Sequence, residues 1–282
     1  METARPGRSV EVDVLALDGA LRKTKHDDVV AEEPLEIRLG SGSAARTLAV
    51  TMRTPGNDFE LVAGFLYGEA IARKRGDIVT MDYCIDPQID AEQRYNIVSV
   101  ELSSGADPVD PARFERHFVT SSACGVCGRA QIDSLKELGV VPLRDGLRLP
   151  VSLLYELPQR MRDGQRVFAS TGGVHAAALF DETGKLLALR EDVGRHNAVD
   201  KIAGWALLNS RIPLERCILA VSGRAGYEIV QKSVMARIPV VCSVSAPSSL
   251  AVELAREFGV TLVGFLRGAT ANVYTEPDRI SA

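Results

Sequence analysis

Short runs of apolar residues, unbroken by polar positions, recur through the second half of the chain. CILAVSG (Cys217–Gly223), PVVCSVS (Pro239–Ser245) and TLVGFLRG (Thr261–Gly268) each end in Gly or Ser, and each is separated from the next by an amphipathic stretch of helical period. One such stretch runs through Ala236, and APSSLAVELAREFG forms the other. Strands that are apolar throughout are buried on both faces, so these runs predict parallel strands joined by helices, as β-α-β units rather than solenoid repeats. Upstream, RVFASTGG (Arg166–Gly173) reads as a strand entering a glycine turn. VHAAALFD leaves helix and strand open, KLLALRED reads as a strand, and VGRHNAVDKIAGWALL (Val193–Leu208) enters a helix with Trp205 in its apolar pattern.

The first half has a different rhythm. VVAEEPLEIRL (Val29–Leu39), TLAVTMR (Thr47–Arg53) and NIVSVEL (Asn96–Leu102) read as strands. RTPGND breaks the second of them, and Asn57 or Asp58 is placed to cap a helix carrying Phe59, Val62, Phe65, Leu66 and Ile71 at helical spacing. SSGADPVDPAR, polar and with two prolines, marks a domain boundary. The expected organisation is an α+β domain over residues 1–117, then an α/β domain with a mainly parallel sheet over 118–282.

Composition narrows the class. The chain has 282 residues, 46% apolar and 25% charged, enough to bury a core in one large domain or two ordinary ones. A net charge of −4 gives no general attraction for nucleic acid. METARPGRSVEVDV has no apolar segment of the kind found in secretory signals, and no stretch reaches the roughly 18 apolar residues of a membrane span. A cytoplasmic protein with reduced thiols is expected.

In open α/β sheets, ligands sit beyond the carboxyl ends of the strands. Those ends read SGRAG (Ser222–Gly226), SAPSS (Ser245–Ser249), FLRGAT (Phe265–Thr270) and EDVGRHN (Glu191–Asn197). Hydroxyls, guanidinium groups and free N–H groups at helix starts suit phosphate, although each stretch alone could be an ordinary turn or cap. Arg224 and Arg267 are candidate contacts for phosphate or guanine. Asp192, Arg195 and His196, in one turn, could form a catalytic set, cap the following helix or meet the ligand. None of the stretches is a Walker A or G-x-G-x-x-G signature.

The remaining candidate chemistry is SSACGVCG (Ser121–Gly128), where Cys124 and Cys127 form a lone C-x-x-C. A structural zinc site needs about four ligands. Cys84, Cys217 and Cys242 are isolated, as are His26, His117, His175 and His196. No metal site is therefore assigned, and Cys217 and Cys242 read as core residues. A redox dithiol would gain from the helix expected at GRAQIDSLKELG, which would lower a thiol pKa at its start. A sulfur carrier needs an accessible, acidic cysteine on a mobile loop, which the flanking glycines allow; the second cysteine could then release the sulfur by attacking the persulfide.

Together these stretches resemble the formate dehydrogenase accessory sulfurtransferases, the FdhD/NarQ family. The resemblance is carried by RTPGNDFELVAGFLYGE, SSACGVCG, STGGVHAAALFD, REDVGRHNAVDKIAGWAL, SGRAGYEIVQKSVMARIPVVCSVSAPSSLAVELA and GVTLVGFLRGATANVYT, which span most of Arg53–Thr275. It implies a sulfurtransferase that takes sulfur from a cysteine desulfurase as a persulfide on Cys124, with Cys127 as second cysteine. The implied acceptor is the molybdenum or tungsten bis-guanine-dinucleotide cofactor, sulfurated before insertion into formate dehydrogenase. The family's cofactor-contacting segment falls on Phe265, Leu266, Arg267, Gly268, Ala269 and Thr270. A homodimer and a cytidine-deaminase-like second domain are implied too. Deaminase activity is not: no Glu follows His175 in HAA (His175–Ala177), and no cysteine pair follows it, so zinc hydroxide could not form. The alternative is a chaperone that binds the cofactor without transferring sulfur.

Overall fold

The computed structural model describes residues 7–40, 45–84, 86, 88–90, 93–104, 128–144 and 146–282. A four-stranded sheet is built from β3 (Glu33–Leu39), β4 (Arg46–Arg53), β5 (Ile78–Tyr83) and β6 (Ile97–Leu102), in the order β4-β3-β6-β5. Helix α1 (Asp58–Gly68) follows β4. A six-stranded sheet takes β8 (His175–Asp181), β9 (Leu186–Asp192), β10 (Cys217–Val221), β11 (Val240–Ser243), β12 (Thr261–Arg267) and β13 (Thr270–Val273), in the order β13-β12-β11-β10-β8-β9. Its three wholly apolar runs, β10, β11 and β12, pair in parallel as expected. The sheet as a whole is mixed rather than mainly parallel, because β8 and β9 form an antiparallel hairpin against β10 and β13 folds back on β12.

Alternation across this sheet explains the unbroken apolar runs. Ala177, Leu179, Leu219, Val221, Val241 and Leu262 belong to a core shared with α5 (Arg195–Leu208), α6 (Tyr227–Met235) and α7 (Ser249–Glu257). Ala178, Phe180, Ile218, Ala220, Cys242 and Val263 face the other way, onto Leu153, Leu154 and Leu157 of α3 (Val151–Gly164). Both faces are covered, so no position on these strands needs to be polar.

The first core also takes in Leu35, Ile37, Val98 and Val100 of the four-stranded sheet, and Leu61, Val62 and Leu66 of α1. Two glycines let α1 and α5 meet backbone to backbone: a methyl on Gly64 would overlap the carbonyl of Asp200, and one on Gly204 would overlap that of Glu60. The boundary expected at 117/118 lies outside the described residues, as do Cys124 and Cys127. Helix α2 (Gly128–Glu137) follows directly.

Three local expectations change. The run Val29–Leu39 is not one strand: it divides at Ala31-Glu32 between β3 and β2 (Leu21–Val30), which pairs with β1 (Ser9–Asp18) in a hairpin. RVFASTGG is not a strand. Residues Arg166–Thr171 form helix α4, because the Glu191 carboxylate accepts from the amides of Val167 (2.9 Å) and Phe168 (2.8 Å) at its first turn. Third, Asn57 is the N-cap of α1 by position only: its side chain makes no cap bond, and the Asp58 carboxylate accepts from Gly56 N at 3.1 Å instead.

Candidate functional site

The four Gly-, Ser- and Arg-rich stretches meet on one edge. His175, the first residue of β8, sits in register with Asp192, the last of β9. Ser222, just past β10, donates its amide to Ala176 O, and its hydroxyl accepts from Ala176 N at 2.9 Å. The hydroxyl of Ser243 donates to Gly223 O at 2.6 Å, and Phe265 N donates to Ser245 O. Helices α5, α6 and α7 all start from this edge, so three helix dipoles turn their positive ends towards it. Ser248 caps α7, accepting from Ala251 N at 3.3 Å, whereas Gly194 and Gly226 leave α5 and α6 without side-chain caps. Ser222, Ser243 and Ser248 are thus occupied in building the edge.

Beneath it lies a buried network that joins the RTPGND loop to EDVGRHN. Lys201 Nζ pairs with Asp192 Oδ2 at 2.7 Å and donates to the carbonyl of Thr54 at 2.9 Å. The same carboxylate takes amide bonds from Thr54 (3.2 Å) and Gly194 (2.8 Å), and a third bond from Asn197 Nδ2 (3.0 Å). Beside it, fully buried Arg53 is held by Asp58, with the Tyr83 hydroxyl donating to Asp58 Oδ2 at 3.0 Å. Burial pulls the Lys201 ammonium down from its ordinary value, against the opposing pull of Asp192. This separates the expected Asp192–Arg195–His196 set: Asp192 is consumed by the fold, while Arg195 and His196 face the edge.

The edge itself is cationic. His196 Nδ1 lies 3.0 Å from Glu228 Oε2, bridging the first turns of α5 and α6. Burial, then the Arg195 charge, lowers the pKa of His175. Burial also dominates at His196, where the Arg195 charge lowers the pKa and Glu228 opposes it. Both imidazoles are therefore shifted towards the neutral form. Arg224 is exposed. Arg267 is exposed as well, its Nε donating to Val244 O at 2.9 Å.

FLRGAT, at the end of β12 as expected, is the tip of a hairpin. Arg267 pairs with Thr270 across a Gly268-Ala269 turn, and the Thr270 hydroxyl donates to Arg267 O at 2.9 Å. A bulge between Gly264 and Arg267 places Phe265 at φ +52°, strained for a residue with a side chain, and the residue is 42% exposed. Leu266 points into the core, and Gly268 and Ala269 are exposed. Cys217 and Cys242 are buried, and burial drives their thiols up to about 11 and about 12, as fits core residues. Lys201 and Thr54 were missed from sequence, since a lysine in a helix and a threonine in a turn give no sign of their burial. The one available signal was that Lys201 interrupts an otherwise apolar helix face.

Three comparisons bear on this arrangement. The family model described as "FdhD/NarQ family" matches residues 30–281. A protein of Streptomyces coelicolor named sulfur carrier protein FdhD is 51% identical over 94% of this chain and 92% of its own length. A protein of the same name from Sulfurisphaera tokodaii is 44% identical over 95% of this chain and 98% of its own. The crystal structure of a candidate formate dehydrogenase accessory protein from Desulfotalea psychrophila superposes with a TM-score of 0.76 at 26% identity, covering 98% of this chain and all of that one.

Proposed function

The chain belongs to the FdhD/NarQ family, and from that membership we propose that it is a sulfur carrier serving formate dehydrogenase. The observation that carries the reading is near-full-length identity of about one half to relatives named as sulfur carriers. In the first step, the Cys124 thiolate attacks the terminal sulfur of a desulfurase persulfide. A new S–S bond forms at Cys124, the old one breaks, and the desulfurase cysteine leaves as thiolate, with no net oxidation. Cys127, three residues further on, is the second cysteine.

The sulfur then goes to the molybdenum or tungsten bis-guanine-dinucleotide cofactor, which is substrate here and not a resident group. Such a ligand carries several phosphates and two guanines. The edge has the matching chemistry: the cations Arg195, Arg224 and Arg267, two uncapped helix starts, and an exposed Phe265 at the FLRGAT tip. We assign Phe265, Leu266, Arg267, Gly268, Ala269 and Thr270 to cofactor binding on the family resemblance. The same resemblance supports a cytidine-deaminase-like C-terminal layer, a homodimer and a cytoplasmic location.

Two variants test the division of labour. Arg267→Ala should weaken GDP binding by about 1.5 kcal/mol, the low end for a charge-assisted hydrogen bond because the side chain is exposed, and leave sulfur loading intact. Cys124→Ala should bind GDP normally and fail to activate formate dehydrogenase. If Cys124→Ala activated the enzyme like wild type, the protein would be a cofactor chaperone that transfers no sulfur.

A further inference from the structure

The partly buried cations around the edge have carboxylate partners, with one exception. Lys201 has Asp192, Arg53 has Asp58, Arg190 has Glu60 and Lys232 has Asp200. Arg195, the first residue of α5, has none among the described residues. Its Nε is closed off from solvent, and no acceptor among the described residues reaches it. An N–H withdrawn from water without an acceptor carries an uncompensated desolvation cost, although the residue as a whole is only partly buried. Its charge is felt nearby: it acts on both His175 and His196, against the protonation of each.

The corner is closely packed. Gly223 lies against this corner, where a methyl would stand 3.2 Å from His175 Nδ1 and 3.6 Å from Arg195 Cβ. Helices α5 and α6 begin here with glycine at the N-cap, so neither has a side-chain cap of the kind Ser248 gives α7. The carboxylate nearest the corner, Glu228, is held on His196. Asp192 is turned under the edge to Lys201.

We propose that Arg195 is the phosphate anchor of this edge. A diphosphate seats between its guanidinium, the His175 ring and the uncapped starts of α5 and α6. This goes beyond the FLRGAT hairpin and rests on the reading that the edge takes a guanine dinucleotide. It divides the work: Arg195 holds the anionic part of the ligand, while the hairpin holds the rest.

Calorimetry with GDP, guanosine and inorganic pyrophosphate tests it on wild type, Arg195→Ala and Arg195→Lys. Arg195→Ala should weaken GDP and pyrophosphate at least about tenfold, the effect of one lost charge-assisted bond, and leave guanosine unchanged. Arg195→Lys should fall between, keeping the charge but not the planar fork. The unliganded melting temperature of Arg195→Ala should equal or exceed that of wild type, because an unpaired, partly buried charge has gone. Arg195→Ala binding GDP and pyrophosphate like wild type would overturn the anchor and leave the dinucleotide reading standing. Pyrophosphate binding through Arg195 without any GDP binding would do the reverse. Failure of wild type to bind either would overturn both. A lower melting temperature with guanosine binding also lost would make Arg195 structural and overturn the anchor.

Discussion

Lys201 is 1% exposed and Asp192 is fully buried, which is tolerable only because each has the other and the remaining lone pairs and protons are bonded to Thr54, Gly194 and Asn197. Lys201→Ala would leave the Asp192 charge buried and unpaired. We expect a loss of about 3–5 kcal/mol in denaturant-induced unfolding, the cost of breaking such a pair from one side. The histidines act through pH. His175 and His196 both titrate below 6.5 in the folded protein, so below pH 6.5 the unfolded chain binds more protons and stability falls as pH drops. Asp200, pushed up to about 6 by burial, works in the opposite direction, so the histidine share is the difference between wild type and a His175→Gln/His196→Gln variant. Thermal melts from pH 7.5 to 5.5 should show a smaller loss in the variant; parallel curves would contradict this. Sequence could place these residues at the edge but could not sort them. Asp192, Arg195 and His196 are alike as a string, and only burial shows that one is structural and one is left without a partner.

The contact between α1 and α5 rests on Gly64 and Gly204. Alanine should favour either helix by about 1 kcal/mol on propensity alone. Here the methyl would meet backbone, which cannot rotate away. Gly64→Ala and Gly204→Ala should therefore each cost about 3 kcal/mol or more, the upper range for overpacking, read as a shift of the denaturation midpoint or loss of soluble protein. Stability equal to wild type would mean the helices are further apart than described. The parallel strands β10, β11 and β12 were legible because burial on both faces leaves an unbroken apolar run. Helix α4 was not, because Glu191, more than twenty residues away, supplies its N-terminal acceptor. The β1–β2 hairpin had a signal that went unread: SVEVDVLALD alternates, and a Gly19-Ala20 turn follows. FLRGAT reads as a strand end and is one, since β12 stops at Arg267, but the antiparallel return of β13 is not legible because a strand end looks the same whatever follows it.

On the scale of the molecule, the two sheets share one continuous core, and the RTPGND loop from the first is tied beneath the ligand edge of the second. Damage in the first half should therefore reach the edge. Asp58→Ala removes one of the two carboxylate partners of buried Arg53, the other being Glu33, and should lower GDP affinity as well as stability, whereas an effect on stability alone would show that the halves are uncoupled. Sulfur loading, proposed for Cys124, is a separate matter. The direct test is mass spectrometry of the intact protein and its cysteine peptides after incubation with a cysteine desulfurase and free cysteine, before and after reduction. The account predicts one added sulfur atom on the peptide holding Cys124, removed by reductant and missing in Cys124→Ala. Wild-type protein that gains no sulfur from an active desulfurase, or gains it equally in Cys124→Ala, would contradict it.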